Sequence, residues 1–204
     1  MQDVQMLECK AKKLELSHAD MKYATLQTSD FSETSFRDGH FYGSYINNCT
    51  LKDTDFSNTK CKHAVFASRF HGKTDFSGAN LENTIFSGSE FNGEINFRRA
   101  ILLNTNLDNV KIAKNATIDL EGALITDSLL AQLQNTYSQQ LKNADKIVRL
   151  TDNTIKDLAP IQKTSSNSNA MDALRTMRGK KQIKGFLSRL KEKQQLKGLL
   201  TRKG

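Results

Sequence analysis

The chain has no tryptophan, one proline and three cysteines among its 204 residues. Cys9, Cys49 and Cys61 form no CxxC pair and are odd in number, which excludes a disulfide framework or a cysteine zinc site as the organising principle. No apolar run reaches the ~18 residues from which a membrane-crossing helix is read. The opening Met1-Gln2-Asp3-Val4-Gln5 lacks the basic and apolar regions of a cleaved secretory signal. The expectation is a cytoplasmic protein, with export into a host cell by a specialised secretion system as the alternative. Hydrophobic residues make up 37% of the chain, below the usual ~45–50%, a benchmark that also counts glycine. So low a fraction argues against a thick, multilayered core and suits a narrow solenoid whose interior is one side chain deep.

Catalytic motifs are missing as well. There is no glycine-rich phosphate loop, HExxH, GxSxG or paired histidine–carboxylate motif. No catalytic residue, metal ligand or cofactor is therefore assigned, and the expectation is a protein that is not an enzyme. An excess of one charge is also absent from most of the chain. The net charge is +8, yet residues 1–169 carry 19 Lys and Arg against 20 Asp and Glu. Residues 170–204 carry 11 against 2, so the basicity belongs to the C-terminal tail.

What the sequence does contain is a repeat of five. Every fifth residue from Leu16 is large and apolar, through Met21, Leu26, Phe31, Phe36, Phe41, Ile46, Leu51 and Phe56, as far as Phe86 and Phe91. Cys61 and His71 are the exceptions. One extra residue enters near Ile95, and the series resumes at Phe97, Leu102, Leu107 and Ile112. Two residues before most of these stands a small one, such as Ala24, Thr34, Gly39, Ser44, Thr54 and Thr84. A period of five fits neither the helical spacing of 3.6 nor the strand spacing of 2. It fits a chain that builds one side of a square every five residues, with the large residue inward and the small one near a corner. Asp, Asn, Ser and Gly supply the turns. Four sides close a coil of about 20 residues, and coils stack at ~4.8 Å.

The units Thr74-Asp75-Phe76-Ser77-Gly78 and Ala79-Asn80-Leu81-Glu82-Asn83 resemble the pentapeptide-repeat motif: a small residue, Asp or Asn, Leu or Phe, and two variable positions. The resemblance to this bacterial family covers roughly residues 14–112 and implies an all-β, right-handed quadrilateral β-helix, here with an α-helical C-terminal region. Stacking by twenties places Leu16, Phe36, Phe56, Phe76 and Phe97 in one internal column and Met21, Phe41, Cys61, Leu81 and Leu102 in the next. Cys49 and Cys61 then read as buried, reduced fillers. At His71 two readings stay open: the strand slips so that Phe70 packs inward, or His71 sits inside with a hydrogen-bond partner. Asp55 and Asp75, twenty apart, read as turn-supporting residues.

On the outside, Tyr45, Val65 and Ile85 are spaced by twenty and predict an exposed apolar stripe, with Tyr42 and Ile101 extending it around a corner. Such a stripe marks a protein contact surface, or else it is covered by the chain's own C-terminal helix.

The domain organisation expected is a β-helix over 4–125, capping helices over 126–160, a flexible linker over 161–169 and a basic amphipathic helical tail over 170–204. Thr126 or Asp127 starts a helix predicted to run to about 150 on the spacing of Leu130, Leu133, Tyr137, Leu141, Ala144 and Val148. In the tail, Ile183, Phe186, Leu187 and Leu190 share a helical face, with Lys180, Lys181, Lys184, Arg189, Lys191 and Lys193 around it. A basic amphipathic helix suits an anionic membrane surface or a partner protein, and non-specific nucleic acid through phosphates.

Several secreted bacterial effectors are similar in outline, joining a pentapeptide β-helix to an α-helical region. The function expected is thus a non-enzymatic scaffold for protein–protein interaction, effector-like in organisation. The alternatives are a nucleic-acid-associated protein anchored by the tail, a homodimer formed through an uncapped solenoid end, and a DNA mimic acting on topoisomerase. Mimicry needs an acidic surface, and residues 1–112 carry 14 acids against 13 bases, which disfavours it.

Overall fold

The computed structural model describes residues 4–150, which form a four-sided parallel β-helix. Its strands are β1 (Gln5–Leu7), β2 (Thr25–Gln27), β3 (Tyr45–Lys52), β4 (Val65–Asp75), β5 (Glu90–Asn96) and β6 (Ile101–Leu102). They continue with β7 (Lys111–Ile112), β8 (Thr117–Asp119) and β9 (Leu124–Thr126), followed by α1 (Asp127–Tyr137), β10 (Leu141–Lys142) and β11 (Val148–Leu150). Every pairing is parallel, and the partners in the first coils are twenty residues apart, as in Met6–Leu26–Ile46–Phe66. The first side of the square takes its inward residues from Leu16, Phe36, Phe56, Phe76 and Phe97, and the second from Met21, Phe41, Cys61, Leu81 and Leu102. The third takes Met6, Leu26, Ile46, Phe66 and Phe86; the fourth takes Phe31, Leu51, Phe70 and Phe91. Apart from Leu16 and Met6 near the N-terminal end, these side chains are buried.

Many corners are tight turns, in which the N–H of the small residue donates to the carbonyl of the inward residue three positions earlier, as from Ala19 to Leu16 and from Ala24 to Met21. The third turn residue has positive φ: 62° at His18, 57° at Tyr23 and 57° at Asp38. This is the hydrogen-bond and φ pattern of a type II turn. Outward Asp and Asn side chains brace the corners by accepting a backbone N–H two residues on, as Asp55 does from Ser57 and Asp75 from Ser77, both at 2.7 Å. That geometry gives both aspartates a structural task.

Inside, phenylalanine rings stack up the first side, with centroids 5.0 Å apart for Phe36–Phe56 and for Phe56–Phe76. Rings of the third side meet them edge-on, Phe56–Phe66 at 5.5 Å and 87° and Phe76–Phe86 at 5.6 Å and 89°. Stacked and T-shaped pairs are the arrangements that ring quadrupoles favour. The small residues near the corners do more than leave space. Thr34, Thr74 and Thr84 donate their hydroxyls to the carbonyls of Ala11, Leu51 and Cys61 in the preceding coil, tying coil to coil.

At His71 the strand slips. Phe70 pairs with Leu51 and is fully buried, while His71 aligns with Lys52 on the outside. The side carrying Phe70 is one residue short and the next is one residue long, so Phe76 returns to its column. The following coil repeats the longer side, pairing Phe70 with Phe91 and Thr74 with Ile95. Here Gly93 passes so close that a Cβ would collide with the carbonyl oxygen and nitrogen of Gly72. Only glycine fits that approach.

The helix is shorter than the spacing predicts. It is capped by the Thr126 hydroxyl, which accepts the Leu129 N–H at 3.1 Å, and it ends at Tyr137. Leu129, Leu130 and Leu133 join the core. Gln132 donates to the Asp108 carboxylate, and the Tyr137 hydroxyl donates to the Val110 carbonyl at 2.8 Å, which fixes α1 over the edge of the coil containing Leu107. The chain then returns to the solenoid, with β10 pairing β8 and β11 pairing β9. Leu141 and Ala144 keep a helix-like spacing because three residues also separate an inward residue of the solenoid from the next corner residue, as in Leu16 and Ala19. The second capping helix, the linker and the basic tail lie outside the described residues.

Candidate interaction face

Residues flanking each inward position point out of the solenoid, so each side carries two outward rows. On the third side the first row is Gln5, Thr25, Tyr45, Val65, Ile85 and Asn106, paired in register. Its companion row is Leu7, which is exposed, then Gln27, Asn47, Ala67, Ser87 and Asp108. Asp108 alone among these twelve is charged, and its carboxylate accepts a hydrogen bond from Gln132. The other three sides each present both signs of charge, for example Arg37 and Asp55 on the first, Lys60 and Glu82 on the second, and Lys52 and Glu90 on the fourth.

The stripe is present, and among the described residues it is open. Tyr45 is 43% exposed and Ile85 40%, with Val65 half-buried between them. Helix α1, seated on the coil edge, leaves the row uncovered. Tyr42 stands exposed at the corner between the second and third sides, where its ring meets Tyr23 at 5.5 Å and His63 at 5.4 Å, both edge-on. Tyr23 was not among the expected face residues, although it is 51% exposed. It and Tyr42 occupy adjacent turn positions nineteen residues apart, so a scan by twenties does not align them.

Ile101 does not belong to the stripe. It lies on the second side, between Asn80 and Leu124 in the ladder, and is only 2% exposed. Sequence spacing placed it near the corner but could not report its neighbours across coils. Lys180, Lys181, Lys184, Arg189, Lys191 and Lys193 lie outside the described residues.

A shallow groove of about 230 Å³ along the long corner between the fourth and first sides gathers Asp75, Glu94, Arg98, Asp119 and Lys142. Two of its carboxylates are engaged by hydrogen bonds. Asp75 accepts from Ser77 and Asn96, and Asp119 from Glu121 and Asn143. Among the described residues no group of three or more His, Cys, Asp or Glu could hold a metal ion. No helix among them is long and apolar enough to cross a membrane.

Residues 66–111 match a family model described as pentapeptide repeats (9 copies). No curated protein matches the chain. Among solved structures, the chain is similar to a pentapeptide repeat protein, Rfr23, from the cyanobacterium Cyanothece 51142, at 20% identity over 55% of this chain and 89% of that one, with a TM-score of 0.38. It is also similar to HetL, a pentapeptide repeat protein involved in heterocyst differentiation regulation from Nostoc sp. strain PCC 7120, at 22% identity over 60% and 52% of the two chains and a TM-score of 0.40. A trypsin-treated form of QnrB1, a plasmid-mediated fluoroquinolone resistance protein, aligns at 18% identity over 62% and 70%, with a TM-score of 0.37.

Proposed function

We propose, on the premise that the chain is a pentapeptide-repeat protein, that its β-helix is a non-enzymatic scaffold that binds protein through the outer face of the third side. The observation that carries this reading is the charge-free stripe of Tyr45, Val65 and Ile85 on a rod whose other sides are charged. Covering an exposed apolar row on a rigid sheet removes apolar surface from water, and with no charge on the row there is no ionic desolvation to offset that gain. A photoreactive phenylalanine derivative placed at position 85, with position 37 on the first side as control, tests it in the cells that make the protein. Covalent adducts from position 85 and not from 37 are expected. Equal labelling from both positions, or none from 85, overturns the reading.

The tail extends the proposal to docking on an anionic membrane surface, supported by its 11 basic against 2 acidic residues. The full chain should co-sediment with phosphatidylserine vesicles and not with phosphatidylcholine vesicles. Replacing Lys180, Lys181, Lys184, Arg189, Lys191 and Lys193 by Gln should abolish this. Binding to duplex DNA that falls steeply with salt, with no vesicle binding, would replace the membrane by nucleic acid.

A further inference from the structure

We infer that the partner of the third side is a second copy of this chain, packed face to face about a two-fold axis through Val65. This rests on the reading of that side as a protein-binding face and names its occupant.

A two-fold interface sets each surface residue against its mirror position in the row. With the axis at Val65, the two copies run antiparallel, and Val65 meets Val65 of the second copy. Tyr45 then faces Ile85, and Ile85 faces Tyr45, an aromatic against a β-branched side chain at both ends. Thr25 faces Asn106. In the companion row Ala67 meets Ala67, a small residue where the two backbones must come closest. Asn47 faces Ser87, and Gln27 faces Asp108, pairs that can hydrogen-bond. Every outward residue from Thr25 to Asp108 thus finds a complement in the same sequence, and no like charges meet. Gln5 and Leu7, which continue the two rows toward the N-terminal end, lie outside these five coils.

Bulk electrostatics do not oppose the contact. Residues 4–150 carry 17 Lys and Arg against 17 Asp and Glu. The face is small, however. Five coils at ~4.8 Å spacing and a side roughly three strand residues wide make an area well below the ~800 Å² per partner of a standard interface. The dimer is therefore weak and forms reversibly with concentration.

Sedimentation velocity on the full chain, from micromolar to millimolar concentration, reads this directly. A reversible monomer–dimer transition is expected. Val65→Arg sets two guanidinium groups against each other on the axis and should raise the dissociation constant at least tenfold with an unchanged circular dichroism spectrum. Tyr45→Lys and Ile85→Glu should each weaken the homodimer. An equimolar mixture of the two variants should restore dimer, because the ammonium introduced in one copy then faces the carboxylate introduced in the other across the axis. A monomer at every concentration overturns the inference, as does a dimer indifferent to Val65→Arg, which would place the contact at a solenoid end. Adducts from position 85 to a different protein, with a monomeric chain, would leave the third side as a protein-binding face and remove only the second copy as its occupant.

Discussion

Phe70 stacks against Leu51 of the preceding coil although the five-residue count assigns that inward position to His71. The solenoid shortens one side and lengthens the next to put the ring inside. Burying an imidazole would leave a polar group in an apolar interior, and turning Phe70 outward would forfeit its contacts with Phe66, Phe76, Phe86 and Phe91. Phe70→Ala should therefore destabilise the fold by about 3–5 kcal/mol. His71→Ala, on the outer face, should stay within about 0.5 kcal/mol. Urea unfolding of both variants checks the pair, and equal losses would mean that the strand has not slipped.

Thr84 is fully buried and donates its hydroxyl to the Cys61 carbonyl at 2.7 Å. Thr84→Val keeps the volume and removes the donor, leaving that carbonyl with one partner fewer in a dry interior. A loss of about 1–2 kcal/mol is expected. Thr84→Ser, which keeps the hydroxyl, should recover most of it in the same denaturation experiment.

Thr28 occupies a corner at φ 51°, where a β-branched residue is strained. Its side chain is exposed. Thr28→Asn supplies a residue that tolerates this region and should raise stability by about 1 kcal/mol. Gly93→Ala is the opposite case, since its Cβ would strike the Gly72 backbone. That variant should lose several kcal/mol, on the order of the largest single-site effects. Thermal unfolding of the two variants beside the parent chain checks both signs.

Burial pushes the Cys49 thiol above its ordinary range, and the side chain is fully enclosed. In the unfolded chain the thiol ionises near pH ~8.5, while the folded protein still holds the proton. The contribution is thus fully present below that pH and is lost as pH rises toward the folded value. Unfolding midpoints should fall above pH ~8.5, and less so in Cys49→Ala. Native protein at neutral pH should show no labelling of Cys49 by iodoacetamide until denaturant is added. Fast labelling would show that the interior opens.

Much of the architecture could be read from spacing alone. A single large residue every five positions, with a small one two places before it, is a local requirement of a four-sided coil, so the columns from Phe36 to Phe97 and the stripe of Tyr45, Val65 and Ile85 are visible as arithmetic. The corner role of Asp55 and Asp75 is equally local, because each bonds a backbone N–H two residues away. The hydroxyls of Thr34, Thr74 and Thr84 gave only the signal of being small, since their acceptors lie in another coil.

The period is written in the residues alone, and with it the sides, the inward columns and the apolar stripe of Tyr45, Val65 and Ile85. The tertiary structure decided the rest: which of Phe70 and His71 turns inward, where α1 stops, that β10 and β11 rejoin the sheet, and that Ile101 is buried. Each of these depends on what the neighbouring coil presents at the same height. A repeat unit specifies its own side, but contacts between coils are formed by residues about twenty positions apart, and one inserted or deleted residue changes which of them meet.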